Sequence, residues 1–470
     1  MKGIKKLIAS ILMVTLLSTL FVGCGADENS EVSKDATTQG SAASKDTEQD
    51  ASNQQQTDEK ENITLEVYLS HTDVAEVNAA IEAFGKEERF SHITLNVADE
   101  MADYDTKISV MIASGTPIDI MSLENPIKMH NWASAGTLLP IDAYLEELSI
   151  NYSDYFGEAG ARASQVQEET YLIPYAQTKW LLAYNKDLFD AAGIAYPSAT
   201  QPMTMDEYRA LAKALTRGEG EDKIYGALQL TWPQFWYAPA ILELGGGEAF
   251  YNDKGLSNIE NPAFAQALQF NYDMQHVDGS IPTYAQAKIS QLKAISFMNG
   301  KYGMSLLASW ALPWFGNEEK YPRDWKVGLA PMPTVSEGDA RQTFGVLGGF
   351  GIPRSSEHPK EATEVALYLS EKVAEFTKGE IPAYQNYDPD ELVGAILANF
   401  AEDDVTQEHI KAILLDPKIT SVSEKITGIN ASQYETVMNE EVEKYFVEEQ
   451  DLETTIANIK KRADEIILMD

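Results

Sequence analysis

Five tryptophans stand in three short segments. Trp180 follows Gln177 and Lys179, Trp232 and Trp236 sit with Phe235 and Tyr237 ahead of Gly245-Gly246-Gly247, and Trp310 and Trp314 flank Pro313. An indole is a flat apolar plate with one N–H at its edge, so a group of them offers stacking surfaces to any ligand that is itself flat and apolar on one face. A sugar ring is such a ligand: its C–H faces suit an aromatic plate, and its hydroxyl edge suits carboxylates and amides. Polar groups that could meet the hydroxyls are Glu124 and Asn125, directly after the apolar run Ile118–Met121, then Gln177 beside Trp180, and Asp73 with His71 after the alternation Ile63–Leu69. Residues at the ends of strands are where open α/β sheets hold their ligands. The plain alternative is that each ring is buried in a core and each acid faces water.

Bond-breaking chemistry finds little support. No phosphate-cradling glycine loop occurs, and Gly345–Gly351 lacks the strand, glycine turn and helix of a dinucleotide site. The six histidines, at 71, 92, 130, 276, 358 and 409, form no H-x-x-x-H pair, and a single cysteine cannot build a cysteine-rich metal centre. Neither metal nor cofactor is therefore expected. The 73 acidic residues are too many for counting to decide on a catalytic carboxylate pair. Glu219-Gly220-Glu221-Asp222 reads as a solvated turn rather than a calcium loop.

The chain has 470 residues, 44% of them hydrophobic, enough for two or three domains with large cores and no disulfide staples. Its formal charge of -37 would repel a phosphate backbone, so nucleic acid is not an expected partner.

The elements that would position the aromatic groups alternate between strand and helix. Ile63, Leu65, Val67 and Leu69 alternate as a strand, Val74, Val77, Ile81 and Phe84 recur at helical spacing, and Ile93, Leu95 and Val97 alternate again. A helical face at Tyr104, Ile108, Met111 and Ile112 ends at Ser114-Gly115-Thr116-Pro117 and leads to the short apolar run Ile118–Met121. Such a succession predicts mainly parallel sheets covered on both faces. Further on, Thr204 and Glu207 form a capping box, Trp325, Val327 and Leu329 alternate, Pro359 can open a helix, and the tail carries two apolar stripes, Tyr434–Phe446 and Ile456–Ile466.

The beginning of the chain reads as an address. Lys2, Lys5 and Lys6 precede the apolar run Leu7–Val22, which is short for a span of about 20 residues and has the layout of a secretory signal. Leu20-Phe21-Val22-Gly23-Cys24 resembles the lipobox of bacterial lipoproteins, with Phe21 where leucine is usual. The resemblance implies cleavage of residues 1–23 and lipidation of Cys24. From Gly25 to Asn62 no aromatic, Leu, Ile or Met occurs, and such a tract is expected to be a disordered tether with an end-to-end distance of about 35 Å.

The body of the chain resembles the extracellular solute-binding proteins of ABC importers, the group that includes maltose- and other sugar-binding proteins. The blocks that carry the likeness are YDTKISVMIASGTPIDIM at 104–121, LLPIDAYL at 138–145, and above all YLIPYAQTKWLLAYNKDLFDAAGIAY at 171–196. FMNGKYGMSLLASW at 297–310, VGLAPMP at 327–333, GVLGGFGIPR at 345–354 and Ile381-Pro382-Ala383 add to it, whereas Tyr384–Thr427 matches nothing closely.

The resemblance implies a two-lobed α/β fold of the periplasmic-binding-protein type, each lobe a mainly parallel sheet flanked by helices, with a ligand cleft between them. It places lobe 1 at 63–174 and 301–352, lobe 2 at 175–300 and 353–470, and crossings near Pro174, Gly300 and Gly351. The cleft would be lined by Trp310, whose family counterpart commonly stacks on sugar, with Trp180, Trp232, Trp236, Tyr237, Trp314, Glu124, Asn125, Gln177 and Asp73. The expected protein is a monomeric lipoprotein on the outer face of the cell membrane that captures a carbohydrate, an oligosaccharide by its aromatic supply, and delivers it to permease subunits. Alternatives are a glycan-active surface enzyme, an importer receptor for a non-sugar solute such as a polyamine, and an adhesin or sensor.

Overall fold

The computed structural model describes residues 61–70, 75–101, 103–335 and 341–469. The expected leader, Cys24, and His71 with Asp73 lie outside the described residues. The first alternation forms β1 (Ile63–Ser70), which buries Leu65, Val67 and Leu69. There follow α1 (Ala75–Phe84), β2 (Ile93–Met101), α2 (Tyr104–Ser114), β3 (Ile120–Leu123) and α3 (Pro126–Ser134). β2 and β3 flank β1 in parallel, as helical crossovers require. Gly115 ends α2 at φ +71°, a left-handed cap that a Cβ would strain, and its N–H returns to the carbonyls of Met111 and Ile112.

The chain then enters β4 (Ile173–Gln177) and β5 (Trp180–Asn185), followed by α4 (Met205–Leu215), β6 (Tyr225–Leu228) and α5 (Pro233–Leu244). At the start of α4 the Thr204 hydroxyl accepts from the Glu207 amide at 3.1 Å, and the Glu207 carboxylate accepts from the Thr204 amide at 2.7 Å. This reciprocal cap contributes about 1 kcal/mol. Next come β7 (Tyr302–Ala308), β8 (Val327–Ala330), β9 (Gln342–Gly345), β10 (Leu347–Gly351), α6 (Pro359–Phe376), β11 (Ile381–Pro382), β12 (Thr420–Ser423), α7 (Ala431–Phe446) and α8 (Leu452–Ile467).

Two main sheets result, each with its own core. The first has six strands in the order β11-β4-β10-β3-β1-β2, and the second has four in the order β8-β5-β7-β6. β9 and β12 form a separate parallel pair. The two-lobed α/β architecture is as expected; the mainly parallel sheets are not. Parallel pairing joins β1 to β2 and β3, and β6 to β7, while every other pairing within the two main sheets is antiparallel. The reason is connectivity: β4 runs toward the junction of the lobes whereas β10 and β11 start there and run away, so neighbours built from different passes oppose each other.

Lobe membership also departs from the expectation. β7 and β8, within 301–352, belong to the second sheet, and α6, within 353–470, packs on the first. The side chains decide this. Ala362, Val365, Ala366 and Leu369 of α6 bury against Ile173 and Phe350, and Ser370 Oγ donates to the Pro174 carbonyl at 2.6 Å. Leu306 and Leu307 of β7 and the stripe Tyr434–Phe446 of α7 bury in the second core. The first crossing is at Thr178–Lys179, beyond Pro174. The second is at Val346, between β9 and β10, some residues before Gly351. No crossing occurs at Gly300, which caps the turn Ala294–Asn299 against Trp325 inside the second lobe. The third lies between Gln385, whose amide donates to the Tyr155 carbonyl in the first lobe at 2.8 Å, and the helix Pro389–Leu397, which is buried in the second.

Candidate ligand-binding site

The first two crossings are bound to one another and to the end of β7. The Thr178 amide donates to the Val346 carbonyl at 3.0 Å, and the Trp180 amide donates to Thr343 Oγ1 at 2.9 Å, whose hydroxyl returns to the Trp180 carbonyl at 2.7 Å. Lys179 and Ser309 exchange two bonds, Ser309 N–H to the Lys179 carbonyl at 2.8 Å and Lys179 N–H to Ser309 Oγ at 3.1 Å. Gly345 permits this closeness, since a Cβ there would lie 2.6 Å from the Thr178 carbonyl oxygen. The Lys179 ammonium donates to the Leu414 carbonyl at 2.6 Å, and burial pulls its pKa down. Lys179 is thereby a tie within the crossing rather than a free polar hand.

On the second lobe an aromatic wall rises beside this junction. Trp232 follows β6 and Trp310 follows β7, so both stand past the C-terminal ends of parallel strands. Trp180, only 2% exposed, sets its ring edge-on to both, with centroids 6.2 Å away and planes at 84° in each case. Trp232 and Trp310 are 6.3 Å apart, and Trp314 closes on Trp310 at 5.3 Å. Trp232 is 39% exposed, and Trp310 and Trp314 are half-buried, so these three present ring surface outward.

Trp236 and Tyr237 are not part of the wall. Trp236 packs edge-on to Tyr284 and Phe446, and Tyr237 to Phe250, all within the core. α5 is mostly apolar and buried nearly throughout, so Phe235, Trp236 and Tyr237 all point into the core, and of these neighbouring aromatics only Trp232, before its first turn, projects outside. Trp180 is likewise a support beneath the wall rather than a surface of it.

On the first lobe the corresponding rim is carboxylate-rich. Glu124 follows β3 and pairs with Lys128 at 2.6 Å, and Lys128 also meets Asp105 at 2.9 Å. Asn125 lies where expected, but its side-chain oxygen is spent on capping α3, accepting from the Lys128 amide at 3.2 Å. Gln177 ends β4, half-buried, with its backbone between β10 and β11. Glu76, in the first turn of α1, and Glu380 line a small cavity with Tyr175, Ala176, Val373, Thr377 and Pro382.

No sequence signal marks Glu380 or Glu76, and Tyr175 stands in the 171–196 block at the crossing without being singled out as a ligand contact. The Glu380 carboxylate accepts from Thr178 Oγ1 at 2.8 Å; burial, with the nearby charge of Glu76 adding to it, pushes its pKa up to about 7. Tyr175 is held well above the usual tyrosine range, by burial first and then by the charges of Glu380, Glu124 and Glu76. The charges of three carboxylates, Glu380, Glu124 and Glu76, thus act on the buried Tyr175 hydroxyl. The first-lobe helix α3 also meets the second-lobe helix α7, so the lobes face each other across this region. Among the described residues there is no group of three or more His, Cys, Asp or Glu side chains able to hold a metal, and no helix long and apolar enough to cross a membrane.

Residues 69–375 match the family of bacterial extracellular solute-binding proteins. The chain belongs to that family. This solute-binding protein is 28% identical over 301 residues to a putative binding protein of Brucella abortus, covering 61% of this chain and 67% of that one. It is 24% identical over 347 residues to the sn-glycerol-3-phosphate-binding periplasmic protein UgpB of Agrobacterium fabrum, covering 71% and 76%. Its fold is shared with an ABC substrate-binding protein of Listeria monocytogenes solved in complex with cycloalternan, at TM-score 0.69 and 21% identity over 86% of this chain and 98% of that one. The solute-binding protein thus has the two-lobed frame of its family, with an aromatic wall on one lobe and a carboxylate rim on the other.

Proposed function

We propose that the protein captures a carbohydrate, an oligosaccharide, between its lobes and delivers it to the permease of an ABC importer. The observation that carries this reading is the pairing of the Trp232–Trp310–Trp314 surface with Glu76, Glu124, Glu380 and Tyr175 on either side of Thr178–Trp180. Sugar C–H faces lie on the indoles, and sugar hydroxyls donate to the carboxylates. Capture is a hinge motion about the three crossings, in which binding energy offsets the cost of bringing the lobes together. No bond is made or broken, so the groups need only position and desolvate.

The sugar-bound relative from Listeria supports the same ligand class. The Agrobacterium relative raises an anionic polyol instead, but three rim carboxylates would oppose a phosphate, and Lys128 and Lys179 are already engaged. A polyamine is the second reading that an observation favours, since those same carboxylates would attract a cation. Export with lipidation of Cys24, leaving the protein on the outer face of the membrane, completes the proposal; Cys24→Ala should then release the protein from cells.

The test is a thermal-unfolding screen against mono- and oligosaccharides, polyamines and glycerol 3-phosphate. A ligand at about 100 times its Kd adds roughly 2.7 kcal/mol. A shift with one glycan class and no product formed supports the reading. A shift confined to spermidine or to glycerol 3-phosphate overturns the sugar assignment.

A further inference from the structure

Beneath the wall lies a buried carboxylate that ligand capture as described above does not use. Glu424, 5% exposed, follows β12, the strand paired with the second crossing segment β9. One of its oxygens accepts from the indole N–H of Trp180, and the other accepts from Gln234 Nε2 at 3.2 Å. Its backbone carbonyl accepts from the Tyr237 hydroxyl at 3.2 Å. Lys425, next in sequence, reaches Gln234 Oε1 at 3.3 Å and Glu435 of α7 at 3.5 Å. The loop is seated on Gly246-Gly247, where a Cβ on Gly247 would overlap the Lys425 carbonyl.

Burying a carboxylate costs several kcal/mol unless its oxygens are satisfied. A chain that keeps one here directs its two oxygens to an indole N–H and an amide. Burial raises the Glu424 pKa, against the opposing pull of Lys425, Trp180 and Gln234. The indole held is the one that stands edge-on to both Trp232 and Trp310 and touches Phe235 at 5.0 Å. Ring contacts confine the Trp180 plate, and the Nε1 bond fixes the direction of its edge, so that the two outer rings lean on one surface.

We propose that Glu424 is a positioning residue: through its bond to Trp180 it fixes the angle of the Trp232–Trp310 wall and so the shape of the apolar half of the ligand site. The consequence for ligand rests on the sugar-binding reading above; the consequence for the rings does not.

Two conservative variants separate reach from charge. Glu424→Gln keeps the length and an acceptor oxygen. Glu424→Asp keeps the charge but withdraws the oxygens by about 1.5 Å, out of hydrogen-bond reach of Trp180. Close, crossed indoles give an exciton couplet in far-ultraviolet circular dichroism, which reports the ring geometry without any ligand. The couplet should be retained in Glu424→Gln and reduced in Glu424→Asp. Affinity for an oligosaccharide found in the screen, with maltotriose and mannotriose as first probes, should stay within about threefold in Glu424→Gln and fall about tenfold in Glu424→Asp. A wild-type couplet in both variants overturns the proposal. Loss in Glu424→Gln with retention in Glu424→Asp overturns it too, since the charge and not the reach would then matter. A couplet that changes as expected in a protein that binds no sugar keeps the positioning role and removes the sugar reading instead.

Discussion

The two faces that meet at the hinge are built on opposite plans. The second-lobe wall is a core that comes to the surface: Trp180, Trp232, Trp310, Trp314 and Phe235 each touch at least one other ring, and the buried Glu424 pins the one underneath. The first-lobe rim is a set of polar groups, with Glu124 tied to Lys128, Asn125 committed to a helix cap, and Glu380 bonded to the Thr178 hydroxyl and pushed by burial up to a pKa of about 7. On the proposed reading, shape selectivity would belong to the wall, whose geometry is set by packing and by the Glu424–Trp180 bond, and response to pH and ligand charge would belong to the rim.

The largest effect should come from the structure that braces the wall. Arg323 and Asp403 are buried together; Arg323 also donates to the Trp325 carbonyl at 2.6 Å and the Phe315 carbonyl at 3.3 Å, and Asp403 accepts from the Val327 amide at 2.9 Å. Phe315 lies in the same turn as Trp310 and Trp314, so the pair supports the wall from behind. Asp403→Ala leaves a buried guanidinium unpaired and should cost about 3–5 kcal/mol in chemical denaturation. A loss below about 1 kcal/mol would mean that the wall is not braced as a core, and the contrast between the faces would weaken.

Trp310→Ala comes next. It removes the central plate and should weaken carbohydrate binding by about 2 kcal/mol, roughly thirtyfold, in a calorimetric titration, with a smaller loss of stability because the ring is only half-buried. Equal effects on binding and stability would count it as core.

Glu380 probes the other face. Its folded pKa of about 7 lies above the ordinary 4.5, so the folded state holds the extra proton between those values, and stability should fall as pH rises through that window. Glu380→Gln should remove about 1–2 kcal/mol of the difference between thermal unfolding at about pH 5 and about pH 7.5. An unchanged pH dependence would show that the rim is not poised.

Glu124→Gln should be mildest. Its pairing with Lys128 is partly exposed, so stability should change by about 0.5 kcal/mol or less, while affinity drops about threefold if a sugar hydroxyl donates to that carboxylate. A stronger drop for spermidine than for any glycan would move the ligand class.

The sequence was most informative where local pattern and tertiary role coincide. β1, α2 with its Gly115 stop, and the Thr204–Glu207 cap stand where their periodicity and end signals put them. Clustering of tryptophans marked the wall, yet nothing local could separate Trp232 from Trp236, because α5 is buried nearly throughout and only its position in the core tells which ring emerges. The acids were less visible. Glu380 on the rim and Glu424 beneath the wall are two among 73, and what singles them out is burial beside partners distant in sequence: Thr178 is 202 residues from Glu380, and Trp180 is 244 from Glu424. Sheet membership of β7, β8 and α6 departs from the expectation for the same reason, since an element's own pattern does not say which core it will join.

The central claim is capture of a sugar on the tryptophan wall. Its most direct test is titration of the intrinsic tryptophan emission of the wild-type protein and of Trp310→Ala with a series of oligosaccharides, checking each mixture for product. Sugar capture on the wall should give a saturable change for at least one glycan class in the wild type, its loss or marked weakening in Trp310→Ala, and intact glycan throughout. No response to any glycan alongside a saturable response to a polyamine, or the appearance of cleaved glycan, would contradict it.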